Sequence, residues 1–328
     1  MRKLNTPLKL DLFVIFIGIT IVLAYFFPQW AKQGGTFSIN TISTIGVSLI
    51  FFFYGLKLSP EKLKAGLNNW ELHLLVQAST FLLFPLILLL FYPWVHTQQQ
   101  ETLWLALFFL AALPSTVSSS VVMVSIAKGN VPGAIFNASL SGIIGIAVTP
   151  LWMGLFLHQR STPFDFTEIY LKLLLEIIVP VVAGLFLHRF IGKYAQQHSA
   201  RLANFDKAII LLIVYKSFAE SFINNVFDSV DVLTLLLLTV IIFTLFFVVY
   251  FLTGYLARIA GFSLPDQITT QFCGTKKSLV HGTVFSKVLF GNTATVGIML
   301  LPLMLFHALQ IFIISMIASK LSTRDDAS

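Results

Sequence analysis

The sequence predicts an all-α, multi-pass membrane protein with ten transmembrane helices in two inverted five-helix repeats. The prediction depends on the composition, the spacing of apolar runs and the placement of charges. Of 328 residues, 57% are hydrophobic and 11% are charged, whereas about 25% of a soluble domain is charged. With so little charge, most of the surface of this chain cannot face water.

Ten segments reach the length of roughly 20 predominantly apolar residues that a spanning helix needs. The first follows a basic start and is too long for the apolar part of a signal peptide. The fourth and ninth contain polar interruptions. In chain order the predicted spans are 10–28, 38–57, 70–92, 102–127, 132–157, 168–189, 207–223, 230–256, 266–289 and 292–318.

The positive charges fix the predicted orientation. With both termini in the cytoplasm, fourteen of the 21 lysines and arginines fall on the cytoplasmic side, three outside and four within the spans. Such asymmetry is typical of multi-pass proteins, and it explains the net charge of +7 without nucleic acid. A bacterial inner membrane is the expected location, because no organelle-targeting segment is seen. Cys273 is the single cysteine, so no intrachain disulfide can form.

Short motifs recur at matching positions in the two halves, which suggests a repeat of 1–162 and 163–328. "AKGN" at 127–130 matches "LFGN" at 289–292, an offset of 162 residues. The interruption "PSTVSSS" at 114–120 similarly corresponds to "CGTKKS" at 273–278. Because each half has five spans, the second must be inverted. Inverted repeats with interrupted helices are typical of secondary transporters whose site lies near the bilayer midplane.

The interruptions also contain the polar residues that could bind ions or substrate. Backbone can leave a helix at membrane depth only where protein or water covers it, and a charge there is functional by default. This singles out Lys276 and Lys277. In the alternative reading, the ninth span begins at Leu279 and both lysines are interfacial. His281 has structural and functional readings of equal weight.

Other polar residues within spans have two readings. Lys216 and Glu220 are four residues apart on one helical face and can neutralise each other. Glu176 is a candidate cavity residue, as are Gln77 and Asn137. Enzyme signatures are absent: the chain has no P-loop, no metal-spaced His/Cys cluster and no G-x-S-x-G, so neither an enzyme nor ATP-driven transport is expected.

The order of "LPSTVSSSVVMVSIAKGN", Thr149–Pro150 and "FCGTKKSLVHG" resembles the bile acid:sodium symporter family. The closest match is the branch typified by the seventh member of solute carrier family ten and its bacterial relatives. The resemblance covers essentially the whole chain. It implies panel and core domains, with helices four and nine unwound where they cross, sodium ions behind the crossing and an organic anion in front.

Only some of the family's site residues have counterparts in this sequence. It implies that Ser119 and Gln77 bind a cation, with Ser120 a weaker oxygen ligand where sodium-coupled members have asparagine. Two family hydroxyls fall on Ala134 and Ala138, and Asn137 and Ser139 are our candidate substitutes. The family's Glu-Val-Gly-Met-Gln-Asn-Ser reads here as Phe272 to Ser278, without the glutamate.

A lysine therefore stands where the family has a ligating glutamine. A fixed ammonium repels sodium strongly at low dielectric, so Lys276 is predicted to substitute for one cation. Burial disfavours a charged amine, so Lys276 is equally a candidate proton carrier. The predicted cation residues are Ser119, Ser120, Asn137, Ser139, Gln77, Thr275 and Lys276, and the predicted substrate-facing residues are Thr116, Lys277, Ser278 and His281.

The sequence thus predicts a secondary active transporter that moves a small or amphipathic organic anion by alternating access. Sodium is slightly preferred to protons as the coupling ion, and no other cofactor is expected. Membrane lipid and the organic anion are the expected partners, with no nucleic acid and no evident protein partner. The alternatives are a cation/proton exchanger that uses Lys276 and a non-transporting membrane regulator.

Overall fold

The structure is a computed structural model that describes residues 12–32, 39–57, 69–116, 118–157, 171, 174–290 and 295–324. The described residues form helices and connecting turns, without a β-strand among them. Thirteen α-helices are present in this part of the chain. They are α1 Leu12–Phe26, α2 Ile39–Lys57, α3 Trp70–Ala78, α4 Phe84–Leu89, α5 Gln98–Ala112, α6 Ser118–Ile126, α7 Val131–Leu157, α8 Val179–Gln197, α9 Ser199–Ile223, α10 Val232–Ile259, α11 Leu264–Thr275, α12 Leu279–Phe290 and α13 Val296–Ser322.

Short helices of other types complete the secondary structure. One-turn π-helices join α3 to α4 and precede α8, so that each forms a continuous helical segment with its neighbours. They are Ser79–Leu83 and Leu174–Ile178. The 3₁₀ segments are Pro28–Lys32, Tyr92–Trp94 and Val226–Ser229.

Five helical segments are long and apolar enough to cross a membrane, which confirms an integral, multi-pass membrane protein. They are Trp70–Trp94, Val131–Leu157, Leu174–Gln197, Val232–Ile259 and Val296–Ser322. Two shorter apolar helices lie in the predicted first and second spans. Each predicted span contains helix. The starts of spans one, two, six and ten lie outside the described residues.

Several helices begin before the apolar runs that predicted them, because capping residues set their ends. Thr97 and Gln100 form a capping box in which Thr97 Oγ1 accepts from the Gln100 amide at 3.2 Å. Ser263 Oγ accepts from the Asp266 amide at 3.3 Å. Such bonds satisfy amides of the first turn. The membrane helices therefore continue into polar sequence that hydropathy alone does not count.

The helices pack in two groups. The four-helix group consists of α1, α2, α8 and α9, in which α2 packs along α8 and α1 along α9. The crossing group consists of α3 to α7 and α10 to α13, with α11 packed against α3, α6, α7 and α10. Contact between the groups includes α9 with α12 and α13. Each group contains helices from both halves of the sequence.

Within the four-helix group, α2 and α8 are in backbone contact at two glycines. A Cβ atom at Gly55 would collide with the carbonyl oxygen of Val181, and one at Gly184 would collide with the carbonyl oxygen of Phe52. Small residues allow such close approach of membrane helices. The spacing of this pair is therefore fixed by main-chain atoms.

Polar side chains connect the two groups. Tyr54 of α2 donates a hydrogen bond to the carbonyl of Ser139 in α7 at 2.6 Å. Lys287 of α12 donates to Thr44 of α2 at 2.5 Å. A cavity of about 20 Å³ lies beside Lys287 at this boundary, which is room for about one water molecule. Its other lining residues are Ser43, Ile213, Lys216, Ser217, Glu220 and Val296.

Candidate functional site

The two interrupted helices meet at their interruptions. α5 and α6 flank the first break, and α11 and α12 flank the second. The amide of Ser278 donates to the carbonyl of Pro114 at 2.9 Å, and Ser115 Oγ donates to the carbonyl of Cys273 at 2.6 Å. Each break thus satisfies backbone groups that the other leaves free, as buried backbone requires.

The first break follows from Pro114, which disfavours helical conformation in the residue before it. The amide of Ser115, which would continue the helix, donates instead to Ser141 Oγ at 2.9 Å. Near the end of α5, the carbonyl of Ala112 accepts from Thr149 Oγ1 at 2.7 Å. The last carbonyls of a helix have no intrahelical donor, so the end of α5 depends on other segments.

Lys277 supplies the remaining donors at this end. Its Nζ donates to the carbonyls of Ala111 at 2.6 Å, Leu113 at 2.8 Å and Thr80 at 2.7 Å. The same Nζ lies 4.2 Å from the centre of the Phe84 ring. An ammonium has three donors, and these three bonds use all of them. The side chain of Lys277 is fully buried.

The Thr80 carbonyl is free for a local reason. Within the π-helix that joins α3 and α4, amides donate five residues back. Pro85 occupies the place where the next amide would donate to Thr80, and it has no N–H. The adjacent carbonyl of Phe81 accepts from Trp152 Nε1 at 2.8 Å. Side chains from two other segments thus donate to carbonyls of this stretch, where Pro85 removes one amide donor.

Lys276 faces a different environment, although it is also fully buried. Its Nζ donates to the carbonyl of Ser119 at 2.9 Å and lies 3.4 Å from Ser119 Oγ. Thr116 Oγ1 lies 2.9 Å from Ser119 Oγ and 2.7 Å from Ser120 Oγ. Three predicted cation residues therefore lie together at the first turn of α6, with one predicted substrate residue.

Gln77 and Asn137 form a separate buried cluster. Gln77 Nε2 donates to Asn137 Oδ1 at 3.0 Å. Asn137 Nδ2 donates to the Gly133 carbonyl at 3.0 Å and lies 2.8 Å from His73 Nδ1. Gln77 Oε1 is buried and has no hydrogen-bond partner among the described residues. It is an acceptor oxygen of the kind that binds cations.

The other two predicted cation residues are bonded within their own helices. Thr275 Oγ1 donates to the carbonyl of Gln271 at 2.6 Å. Ser139 Oγ donates to the carbonyl of Ile135 at 3.0 Å. The structure therefore separates the predicted cation residues into two clusters and two side chains that bond to their own helices.

Ser278 immediately precedes α12, and His281 lies in its first turn. Ser278 Oγ accepts from the His281 amide at 3.3 Å and lies 2.9 Å from His281 Nδ1. His281 Nε2 is buried without a hydrogen-bond partner in the described part of the chain. The predicted substrate residues Thr116, Lys277, Ser278 and His281 are at most 6% exposed. In this structure these side chains at the crossing are therefore closed off from the protein surface.

Comparison with known proteins assigns the family. The profile of the SBF-like CPA transporter family matches residues 11–323. The chain belongs to this family. The match covers nearly the entire sequence, both breaks included, and its transporter description fits the crossed, interrupted helices.

Relatives of this SBF-like chain are similar along their whole length. An uncharacterised protein of Pseudomonas aeruginosa is 40% identical over 97% of this chain and 95% of its own. YfeH of Escherichia coli K12, named as a proposed symporter, is 34% identical over 95% and 92%. Sodium/bile acid cotransporter 7 of Danio rerio is 32% identical over 95% and 93%. The resemblance to the bile acid:sodium symporters and the branch of the seventh member is thus confirmed.

The structure changes the expected placement of Lys277 in this SBF-like chain. The sequence placed it toward the substrate, but its ammonium is turned into the end of α5 with every donor used. The physical reason is the set of free carbonyls left by Pro85 and Pro114, which a nearby cation satisfies. Lys276 lies beside Ser119, and its role at the predicted cation residues stays a prediction.

Sequence reasoning missed Gln310 of α13, which holds the second break. Its Oε1 accepts from the Lys277 amide and its Nε2 donates to the Lys277 carbonyl, both at 2.8 Å. His307 Nδ1 lies 3.0 Å from Gln310 Nε2. The two residues are three apart and are the only polar side chains between 296 and 314. That spacing of polar residues was the signal available in the sequence of this SBF-like protein.

Proposed function

We propose that this transporter moves an organic anion by alternating access, coupled to a cation. The observation that supports this proposal is the crossing of two interrupted helices, in which each break supplies hydrogen-bond partners for backbone groups of the other. Half-helix ends inside a membrane present carbonyls to cations and amides to anions. The name of the Danio rerio relative, sodium/bile acid cotransporter 7, makes sodium the first coupling ion to test and a bile acid the first anion.

In this proposal the four-helix group is the panel domain and the crossing group is the core domain. The inverted repeats are 1–162 and 163–328, and both termini lie in the cytoplasm of a bacterial inner membrane. The packing supports this assignment, because each group draws helices from both halves. Movement between the groups would expose His281, which lies with its ring against Phe51 and Tyr54 of α2.

The boundary between the groups contains charged side chains of both signs. Lys216 and Glu220 form an ion pair at 3.3 Å, as their spacing predicted. They line the same small cavity as Lys287. Glu176 also interacts electrostatically with Lys287, so two glutamates balance the two lysines, and an anionic substrate would compete with these carboxylates for the lysines once the groups separate. The present volume of the cavity does not hold such a substrate.

The residues near Gln77 fit a sodium ion better than those near Ser119. Gln77 Oε1 is an unpartnered buried oxygen, whereas the Lys276 ammonium already donates to Ser119 and repels a second cation. Gln77 and Asn137 would hold the ion after the present hydrogen bond between their amides opens. A bound sodium would link ion occupancy to the shape of the crossing.

Proton coupling through Lys276 is the second candidate, either in symport or in cation/proton exchange. Two observations favour it. Lys276 is fully buried, and the two segments that contain the breaks, 102–127 and 267–289, have no acidic residue. Desolvation disfavours the charged amine, so proton loss and gain at Nζ can accompany a change in shape. Without such titration, Lys276 acts only as a fixed charge.

Thermal stability of the purified protein separates these candidates. The melting temperature is compared in sodium chloride and choline chloride at about pH 5, 7 and 9 for the wild type and Lys276→Gln. A ligand at 100 times its Kd stabilises by about 2.7 kcal/mol. A sodium-specific rise in the wild type supports a sodium site. A pH-dependent shift that Lys276→Gln removes, without a sodium effect, supports protons.

Uptake into proteoliposomes tests transport itself. Labelled taurocholate serves as the organic anion, and imposed sodium and proton gradients are applied separately. Accumulation driven by either gradient supports symport. Proton movement on addition of sodium, without the anion, indicates exchange instead. If stability responds to neither ion and a panel of organic anions gives no gradient-driven uptake, the non-transporting regulator replaces this proposal.

A further inference from the structure

We propose that the carbonyls of Thr80, Ala111 and Leu113, with the ring of Phe84, form a monovalent-cation site that the chain fills with the ammonium of Lys277. We call these four groups and the ammonium the Lys277 cage. In this view Lys277 is a resident cation that holds three segments together and stays in the cage in the folded protein. The inference concerns the folded protein and does not rest on the transport proposed above.

The geometry is that of a coordinated cation. Three oxygens lie 2.6–2.8 Å from one nitrogen, and an aromatic face lies 4.2 Å from it. Carbonyl oxygens replace the hydration shell of monovalent cations in membrane proteins, and aromatic faces attract cations. The described residues form no ion pair with Lys277. Within the described part of the chain, carbonyl dipoles and the aromatic face therefore stabilise its charge.

The cage exists independently of Lys277, because its carbonyls are freed by the local sequence. Pro85 removes the donor for Thr80, and Ser115 gives its amide to Ser141 rather than to α5. The negative end of the α5 dipole points to the same place. Without a cation, these three carbonyls would lack a donor among the described residues. A small external cation should therefore enter when the lysine is shortened.

Chemical rescue tests the cage. Lys277→Ala removes the ammonium and leaves space for ammonium or methylammonium, whereas Lys277→Met fills the space without donors. Each variant is extracted and purified in ammonium, methylammonium, potassium or choline chloride, and the melting temperature is measured. We expect Lys277→Ala to melt at least about 2 °C higher in ammonium or methylammonium than in choline. Wild type and Lys277→Met should show no such difference.

Lys277→Met is the matched control, because it removes the same ammonium but fills the space that an external cation would need. Its melting temperature should not depend on ammonium. If Lys277→Ala is recovered in ammonium but not in choline, that result also supports the cage. Equal melting of Lys277→Ala in all salts, failure to recover it in any, or wild-type stability of Lys277→Met would each overturn the proposal.

Discussion

The two sides of the helix crossing hold adjacent, fully buried lysines in opposite kinds of environment. On the carbonyl side, Lys277 meets the C-terminal end of α5 and uses every donor. On the hydroxyl side, Lys276 meets the first turn of α6 at Ser119. Helix dipoles favour cations at C-terminal ends and disfavour them at N-terminal ends. Equal burial therefore does not imply an equal environment: the nearby helix end favours a positive charge on Lys277 and disfavours one on Lys276.

The largest expected effect comes from removing the clamp on the carbonyl side. Gln310→Leu leaves both the amide and the carbonyl of Lys277 without their partner. Each unsatisfied buried group costs about 1–3 kcal/mol, so the variant should lose about 2–6 kcal/mol of stability. Thermal or chemical unfolding in detergent measures this loss.

Ser315→Ala serves as the control for Gln310→Leu, because Ser315 is on the same helix and its hydroxyl bonds to its own helix at Phe312. It should unfold like the wild type. Wild-type stability of Gln310→Leu would show that the second break does not need this clamp.

A smaller loss is expected from Thr149→Val, which keeps the shape but removes the donor to the Ala112 carbonyl at the end of α5. That carbonyl then lacks a partner, which costs about 1–3 kcal/mol. Thr270→Val is the matched control, because Thr270 is also fully buried but donates within its own helix to Asp266. The difference in unfolding free energy between the two variants is the measurement. Equal losses would contradict the role of the α5 end.

On the hydroxyl side, Ser120→Ala should change stability less. Thr116 loses one hydroxyl neighbour at 2.7 Å but keeps Ser119 at 2.9 Å. A typical hydrogen bond contributes about 0.5–1.5 kcal/mol, and a remaining partner reduces the loss. The unfolding free energy is again the readout. A loss as large as that of Gln310→Leu would remove the distinction between the two sides.

The smallest effect concerns the resting protein, in which Cys273 reports on the crossing. Its thiol is fully buried, and its carbonyl accepts from Ser115. A membrane-permeant maleimide should label it at least about tenfold more slowly than in the unfolded chain, since labelling requires local opening. Mass spectrometry follows the reaction. Labelling as fast as in the unfolded chain would show that the crossing is open at rest.

The sequence was sufficient for the helical class, the family and the position of both breaks, because a proline or a cluster of polar residues inside an apolar run disfavours a continuous membrane helix. It was insufficient for the roles of the two lysines. Lys276 has an extended backbone, with φ −79° and ψ 148°, so successive side chains point to opposite sides. Which side meets which helix end depends on the crossing, and no local pattern encodes that.

Capping and clamping residues were missed for a related reason. Thr97 and Ser263 lie outside the apolar runs, so hydropathy placed the helix starts too late. Gln310 is distant in sequence from the break that it holds. Its function becomes visible only when the hydrogen bonds of the Lys277 backbone are traced.

The paired glycines of α2 and α8 have a mechanical consequence. Because Gly55 and Gly184 place main chain directly against main chain, the contact contains no side-chain layer that could repack into a second arrangement. A transporter that alternates between two shapes needs some part that keeps one shape, and in the proposed mechanism this pair would be that frame. A single methyl group at either glycine would push the frame apart and displace everything it carries.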